Sequence, residues 1–238
     1  MGNWKNESVG KYGVQGAKYG DLYKASYGVG SGCSYSGADM TLDSISNEKV
    51  GIGNLSGSYI PAYERKTNKE ASYDDSLLKS TFKAFNNSSN FSQYVDLKYL
   101  AMEEAVSYFV GNPDSLRNNY NNYMLYFRRT DGKMVIIPID NDRSWGITKD
   151  WGPRDGYKNV EIFDQYDVNY NENRNNLLKK TILSKSTETS KLYVEYLKLL
   201  LDSDWLKEET FNQYFDIAKK SYSKYNFSLT QDDNNILF

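Results

Sequence analysis

The sequence contains no histidine. That absence removes Ser-His-Asp and Cys-His catalysis together with the common histidine-bearing zinc sites. A single cysteine, Cys33, excludes an internal disulfide and a cysteine-based zinc site. An excess of either charge is also missing. With 29 basic and 31 acidic side chains the net charge is −2, too little to hold nucleic acid or an anionic membrane by bulk electrostatics. No apolar run reaches the length of a membrane span, and the opening MGNWKNESVGKYG has neither the basic nor the apolar part of a signal peptide. The chemistry left to this chain runs on carboxylates, amides, lysines or a hard, oxygen-bound metal.

What is present divides into two textures. The 238 residues, 39% of them hydrophobic, suffice for one sizeable core, so 1–238 is read as a single α+β domain. Twelve of the seventeen glycines precede residue 58. There, short apolar pieces such as Asp21 to Ala25 and Ser58 to Ile60 alternate with glycine-rich segments, which predicts short strands and long loops over residues 1–70. From about residue 71 onward the pattern is mainly helical. Leu77, Leu78, Phe82 and Phe85 recur at three and four, as do Leu97, Leu100, Ala101, Ala105, Tyr108 and Phe109, with Asp96 as N-cap and Gly111 as stop. Three further amphipathic helices are predicted past Asn173. They carry Leu177, Leu178 and Ile182, then Leu192, Tyr196, Leu197 and Leu200, then Phe211, Tyr214, Phe215, Ala218 and Tyr222.

The chemistry-bearing window lies between these helices. Five of the eleven residues from Asn112 to Asn122 are asparagine, so the loop reads as rich in oxygen ligands and poor in packing groups. Two strand-like runs follow, Tyr123 to Phe127 and Lys133 to Asp140, joined through Thr130-Asp131-Gly132, whose Asp-Gly pair signals a hairpin. Antiparallel neighbours lie roughly 4.8 Å apart, which brings Asn122 at the start of one strand beside Asp140 at the end of the other, with Asp114 above both. Acid, amide and acid around a hairpin is the arrangement of a protein-kinase catalytic loop. One carboxylate receives the substrate hydroxyl proton, while an asparagine and a second aspartate hold magnesium on the phosphates.

These residues resemble a known family. GNPDSLRNNYNNYMLY at 111–126 followed by IIPIDNDRSWG at 136–146 is similar to the CotH family of spore-coat protein kinases, which carry a GNxD loop, an asparagine opening a YYLY-type strand, and a PxDxD stretch ending in an aromatic and glycine. GDLYKA at 20–25, GADMTL at 37–42 and YERKTN at 63–68 resemble further segments of that family in the same order. The resemblance implies an atypical protein-kinase-like fold and a Mg²⁺- or Mn²⁺-dependent transfer of the ATP γ-phosphate to serines of spore-coat or extracellular proteins. It implies Asp114 as catalytic carboxylate and Asp140 as principal metal ligand, with Asp142 as a second. For the amide ligand, a kinase-like Asp-x-x-x-x-Asn spacing lands on Asn119, whereas the asparagine directly before the strand is Asn122, which is preferred. Lys66 in YERKTN, and less so Lys24 in GDLYKA, are the candidate phosphate-reaching lysines. The family's nucleotide-gripping N-terminal lobe lies far upstream of its GDLYKA-like segment, and only nineteen residues precede Gly20 here. The expectation is therefore a chain lacking most of that lobe, with the helix face around Leu77 and Phe82 left exposed.

Other readings stand beside this one. A lone aspartate after a strand is often a turn cap, and asparagine-rich loops are common turn material. Asp140-Asn141-Asp142 does not open an EF-hand, because Trp145 and Trp151 stand where glycine and glutamate are needed. Gly28-Val29-Gly30-Ser31-Gly32 and Gly51-Ile52-Gly53 do not complete GxGxxG and read as flexible loops. A non-catalytic coat or surface interaction module would keep the fold without turnover. More distantly, the 22 tyrosines suggest a carbohydrate-binding surface, although those at helical spacing in the C-terminal half read as core.

Overall fold

Glycine at position 20 fixes where the first strand begins. A Cβ there would stand 2.1 Å from the Phe127 carbonyl oxygen and 2.7 Å from the Tyr126 ring, so only glycine lets the chain enter the sheet beside its neighbour. In the computed structural model, which describes residues 19–26, 28, 37–70, 74–87, 90–147, 159–164 and 176–228, strand β1 then runs over Asp21–Ala25 with strictly alternating burial. It is the central strand of a five-stranded mixed sheet ordered β2-β3-β1-β4-β5. The others are β2 (Val50–Gly51), β3 (Tyr63–Arg65), β4 (Tyr123–Phe127) and β5 (Met134–Pro138). All pairings are antiparallel except β2 with β3.

One sheet face is the core. Tyr23, Tyr63, Tyr123, Leu125, Phe127 and Ile136 are buried there. Tyr63 packs edge-on to Phe82, with ring centroids 5.2 Å apart, and Tyr23 edge-on to Phe127 at 5.9 Å. Phe82 comes from helix α1 (Ser76–Asn87), which buries Leu78, Phe82 and Phe85 of the predicted stripe together with Thr81, while Leu77 is only partly buried. The expectation that this face is left bare does not hold, because Leu78, Phe82 and Phe85 are completely buried in the common core. The phenol groups are satisfied as well: Tyr63 and Tyr123 hydroxyls lie 3.0 Å apart, and Tyr123 donates to the Ala38 carbonyl at 2.6 Å.

Helix α2 (Leu97–Phe109) starts and stops as its sequence dictates. The Asp96 carboxylate accepts from the Tyr99 amide at 3.0 Å, and at the other end Gly111 (φ 63°) donates to Tyr108 and Asn112 to Ser107, a complete Schellman closure. Helix α3 (Asn176–Lys180) buries Leu177 and Leu178, while Lys180 donates to the carbonyls of Phe85 and Asn86, tying it to the C-terminal end of α1. Helix α4 (Glu188–Leu201), capped by Thr187, packs along α2. Helix α5 (Glu208–Ser223) forms where predicted but buries none of its residues; Tyr214 and Tyr222 are exposed rather than core.

Two other expectations are corrected. Ser58 to Ile60 is not a strand, since Tyr59 and Ser58 close a turn with Asn54, whose amide nitrogen donates to the Tyr59 carbonyl and whose side chain accepts from the Tyr59 amide; the strand falls later, at β3. Gly51 is not loop but extended backbone in β2, held parallel to β3. Residues 29–36, including Cys33 and most of the first glycine-rich motif, and Trp151 lie outside the described residues. Among the described residues no helix is long and apolar enough to cross a membrane.

Candidate active site

The Schellman turn at Gly111 redirects the chain from α2 into the loop 112–122, and the loop is not the loosely packed segment its amides suggest. Asn112, Leu116, Arg117, Asn118 and Tyr120 are all at most 1% exposed. Arg117 is the reason. Its guanidinium is wholly buried, pairs with Glu104 of α2, donates to the Ile162 and Asp164 carbonyls and to the Tyr193 hydroxyl, and lies over the Tyr108 ring at 4.9 Å. One side chain thus fastens the loop to α2, to the segment 161–164 and to α4. Nothing in the run SLRNN distinguishes this arginine from a solvated one.

Asp114, like Asn121, is left partly exposed, and amides grip both of its oxygens. Asn119 Nδ2 donates to Oδ1 at 2.6 Å and Asn122 Nδ2 to Oδ2 at 2.7 Å. Asn112 Oδ1 accepts from the Asp114 amide at 3.0 Å and fixes the backbone beneath it. Burial holds the Asp114 carboxyl above its ordinary value and the negative charge of Asp142 adds to this, against the hydrogen bonds of Asn119 and Asn121 and the charge of Arg143.

The hairpin supplies the other half. Arg128 and Lys133 close it through the predicted Asp-Gly turn, with Gly132 at φ 72°. At its open end the Ile139 amide donates to the Asn122 carbonyl at 2.8 Å, and Asn122 Nδ2 also reaches the Asp140 carbonyl at 3.2 Å. Asn122 (φ 53°) and Asp140 (φ 56°) both occupy the left-handed region, which turns their side chains out of the strand alternation. Asn141 Oδ1 accepts from Asn112 Nδ2 at 2.7 Å, pinning the segment between Asp140 and Asp142 to the start of the loop. Asp114, Asn119, Asn122, Asp140 and Asp142 are therefore gathered at one end of the hairpin, as the sequence suggested. Asn112, Asn141 and Arg143 join them, and their amide-rich setting was the only signal for the first two.

The lysines fall elsewhere. Lys66 follows β3, two strand positions from β4, and its ammonium pairs with Glu64 Oε2 at 2.6 Å. Lys24 is nearer, because register places Glu64, Lys24, Met124 and Ile137 in one row across four strands, all partly exposed on the face opposite the core. Met124 stands two residues into the segment that Asn122 opens.

As a cation site the cluster offers carboxylate and amide oxygens. Among the described residues no group of three His, Cys, Asp or Glu side chains is placed to hold a metal ion. A shell drawn from Asp140, Asp142 and Asn122 would have to be completed by water, as magnesium allows, since it retains water and takes few protein ligands. Asn122 commits its Nδ2 to Asp114 and Asp140, so its Oδ1 is the atom available to a cation.

Among curated proteins none matches the chain. A family model described as CotH kinase protein matches residues 14–233, nearly the whole chain, and on that match, together with the α+β architecture that carries the acid and amide cluster, the chain belongs to the CotH kinase family.

Proposed function

We propose that this chain is a metal-dependent protein kinase that transfers the γ-phosphate of ATP to a serine hydroxyl of a coat or extracellular protein. The observation that carries the proposal is the grip of Asn119 and Asn122 on the two oxygens of Asp114, with Asn122 bridging onward to Asp140. A carboxylate fixed on both sides has its remaining lone pairs aimed outward, as a group that orients and accepts a hydroxyl proton requires. Asp140, Asp142 and Asn122 Oδ1 would hold Mg²⁺ or Mn²⁺, whose contribution when bound is to neutralise charge on the transferring phosphates. Asn119, whose amide nitrogen serves Asp114, is the secondary candidate for that shell.

The row of Met124 and Ile137 gives the nucleotide an apolar platform beside the cluster, and Lys24 in the same row is the phosphate-side cation, with Lys66 set behind it through Glu64. Two variants separate the roles. Asp140→Ala should abolish the rise in melting temperature that Mn²⁺ produces in the wild type, because a ligand of the native state alone stabilises it by mass action. Asp114→Asn should keep that rise and lose phosphate transfer from labelled ATP to a serine-rich peptide by about 10²-fold or more. An unchanged metal shift in Asp140→Ala, or wild-type transfer by Asp114→Asn, defeats the corresponding assignment.

A further inference from the structure

Helix α5 is the element that the rest of the molecule leaves uncovered. It buries none of its residues and packs chiefly against the turn Asp204–Leu206. Yet its sequence is that of a packed helix: Phe211, Phe215, Ala218 and Tyr222 recur at four, three and four along one face, with Tyr214 beside them. Tyr214, Ile217 and Tyr222 are each half or more exposed, as are Leu199 and Leu201 at the end of α4 and Trp205, whose ring stacks on Tyr214 with centroids 5.2 Å apart. A helix of this length takes most of its stability from the packing of such a face, so a bare aromatic stripe of this kind marks an interface.

The charges on the helix select the occupant. Glu208 and Glu209 open it, while Lys219 and Lys220 stand near its end, with Lys224 just beyond. Glu208 and Lys219 are eleven residues apart, as are Glu209 and Lys220, and eleven residues make about three turns of an α-helix, so each acid shares a line of the helix with a lysine. The first of these lines borders the stripe, because Glu208 lies three residues before Phe211 and Lys219 four after Phe215. Acid first and base last also suits the helix dipole, but the dipole requires no common line. A second copy of α5 laid antiparallel brings Glu208 and Glu209 against the partner's Lys219 and the partner's Lys220, twice over by two-fold symmetry. A parallel copy would set like charges together.

We propose that α5 is a self-association surface: two copies of this chain form an antiparallel, two-fold dimer that buries the aromatic stripe between the helices and pairs the acidic end of each with the lysine end of the other. Tyrosine and tryptophan, the residues exposed here, are the types that carry most of the energy in protein interfaces. The surface uses none of the proposed metal ligands, so its test does not depend on phosphate transfer.

Sedimentation equilibrium of the purified chain, from low to high micromolar concentration, is expected to show a monomer–dimer equilibrium that weakens as salt is added. Lys219→Glu with Lys220→Glu, and separately Glu208→Lys with Glu209→Lys, should each weaken self-association by about tenfold or more, because each sets like charges across the two-fold axis. Mixing the two variants should restore a dimer, since the all-acid helix then meets the all-lysine one. That restoration, with circular-dichroism spectra of each variant alone, separates lost pairing from lost folding. Tyr222→Glu, at a position half exposed in the single chain, should keep the spectrum and lose the dimer. Asp140→Ala should dimerise as the wild type does, which keeps this result independent of the catalytic assignment. A monomer at every concentration, dimerisation indifferent to the charge reversals, or failure of the mixed variants to associate overturns the proposal, and the first of these would mean that a different partner covers the stripe.

Discussion

At the scale of single residues, Asp114 carries a pH dependence whose sign follows from its surroundings. Its folded-state pKa is raised, chiefly by burial and further by Asp142. Between the ordinary aspartate value and that raised value the native protein holds more proton than the unfolded chain, so the contribution of Asp114 to stability declines as pH rises through the window. In the proposed phosphotransfer, activity would run the opposite way, since only the ionised carboxylate accepts a hydroxyl proton. The acid limb of kcat/KM is therefore expected above the pH typical of a solvated aspartate. Arg143→Gln, which removes an opposing positive charge, should move that limb further up. A pH–rate profile of wild type and variant checks this, and a limb that stays in place would show that Asp114 does not govern it. The amides around Asp114 serve the same end: Asn119 and Asn122 keep the carboxylate usable despite burial, and Asn112 keeps it in place.

At the scale of elements, the site rests on how α2 ends. Gly111 sits at φ 63°, where a Cβ costs roughly 1–2 kcal/mol, so Gly111→Ala should lower the thermal midpoint by a few degrees. Asp96→Ala removes the N-cap at the far end for about 1 kcal/mol and also one of the two carboxylates that Arg128 pairs with, the Asp131 pair remaining. The two losses differ in consequence. The glycine change should also weaken Mn²⁺ binding, because Asn112 leaves the Schellman turn directly into contact with Asn141, whereas the cap change should leave metal binding alone. Thermal melts with and without Mn²⁺ separate them. These termini were legible in the sequence because caps, glycine stops and an Asp-Gly turn act over a few residues. The gathering of Asp114, Asn122 and Asp140 was legible for the same reason, being set by one hairpin. What the sequence concealed depends on distant partners. β2 and β3 are two and three residues long and are held by neighbours distant in sequence, β3 by β1 and β2 in turn by β3. The row from Glu64 to Ile137, which puts Lys24 rather than Lys66 next to β4, is a matter of register that no local pattern encodes. The stripe on α5 has a core-like period, yet it packs chiefly against the turn Asp204–Leu206, and period alone does not name the surface a helix meets.

At the scale of the whole molecule, Arg117 makes the loop 112–122 and the helical half one unit. Its partners come from α2, which leads directly into the loop, and from the segment 161–164 and α4, which are distant from it in sequence. Breaking a buried, hydrogen-bonded ion pair from one side leaves the other charge stranded, which costs about 3–5 kcal/mol. Arg117→Ala should therefore lower urea stability by that order, with Glu104 left buried and unpaired. Arg117→Lys should recover only part of the loss, since a single ammonium cannot reach Glu104, Ile162, Asp164 and Tyr193 together. Removing both charges as Glu104→Gln with Arg117→Met should cost less than Arg117→Ala alone, because no naked charge remains. Metal binding distinguishes an anchor from mere ballast. If Arg117 positions the loop, the double variant should recover stability yet still bind Mn²⁺ more weakly than the wild type, as the loop loses its tie to the 161–164 carbonyls. Wild-type Mn²⁺ affinity in the double variant would mean that the loop holds its shape through its own amides, and that Arg117 contributes stability alone.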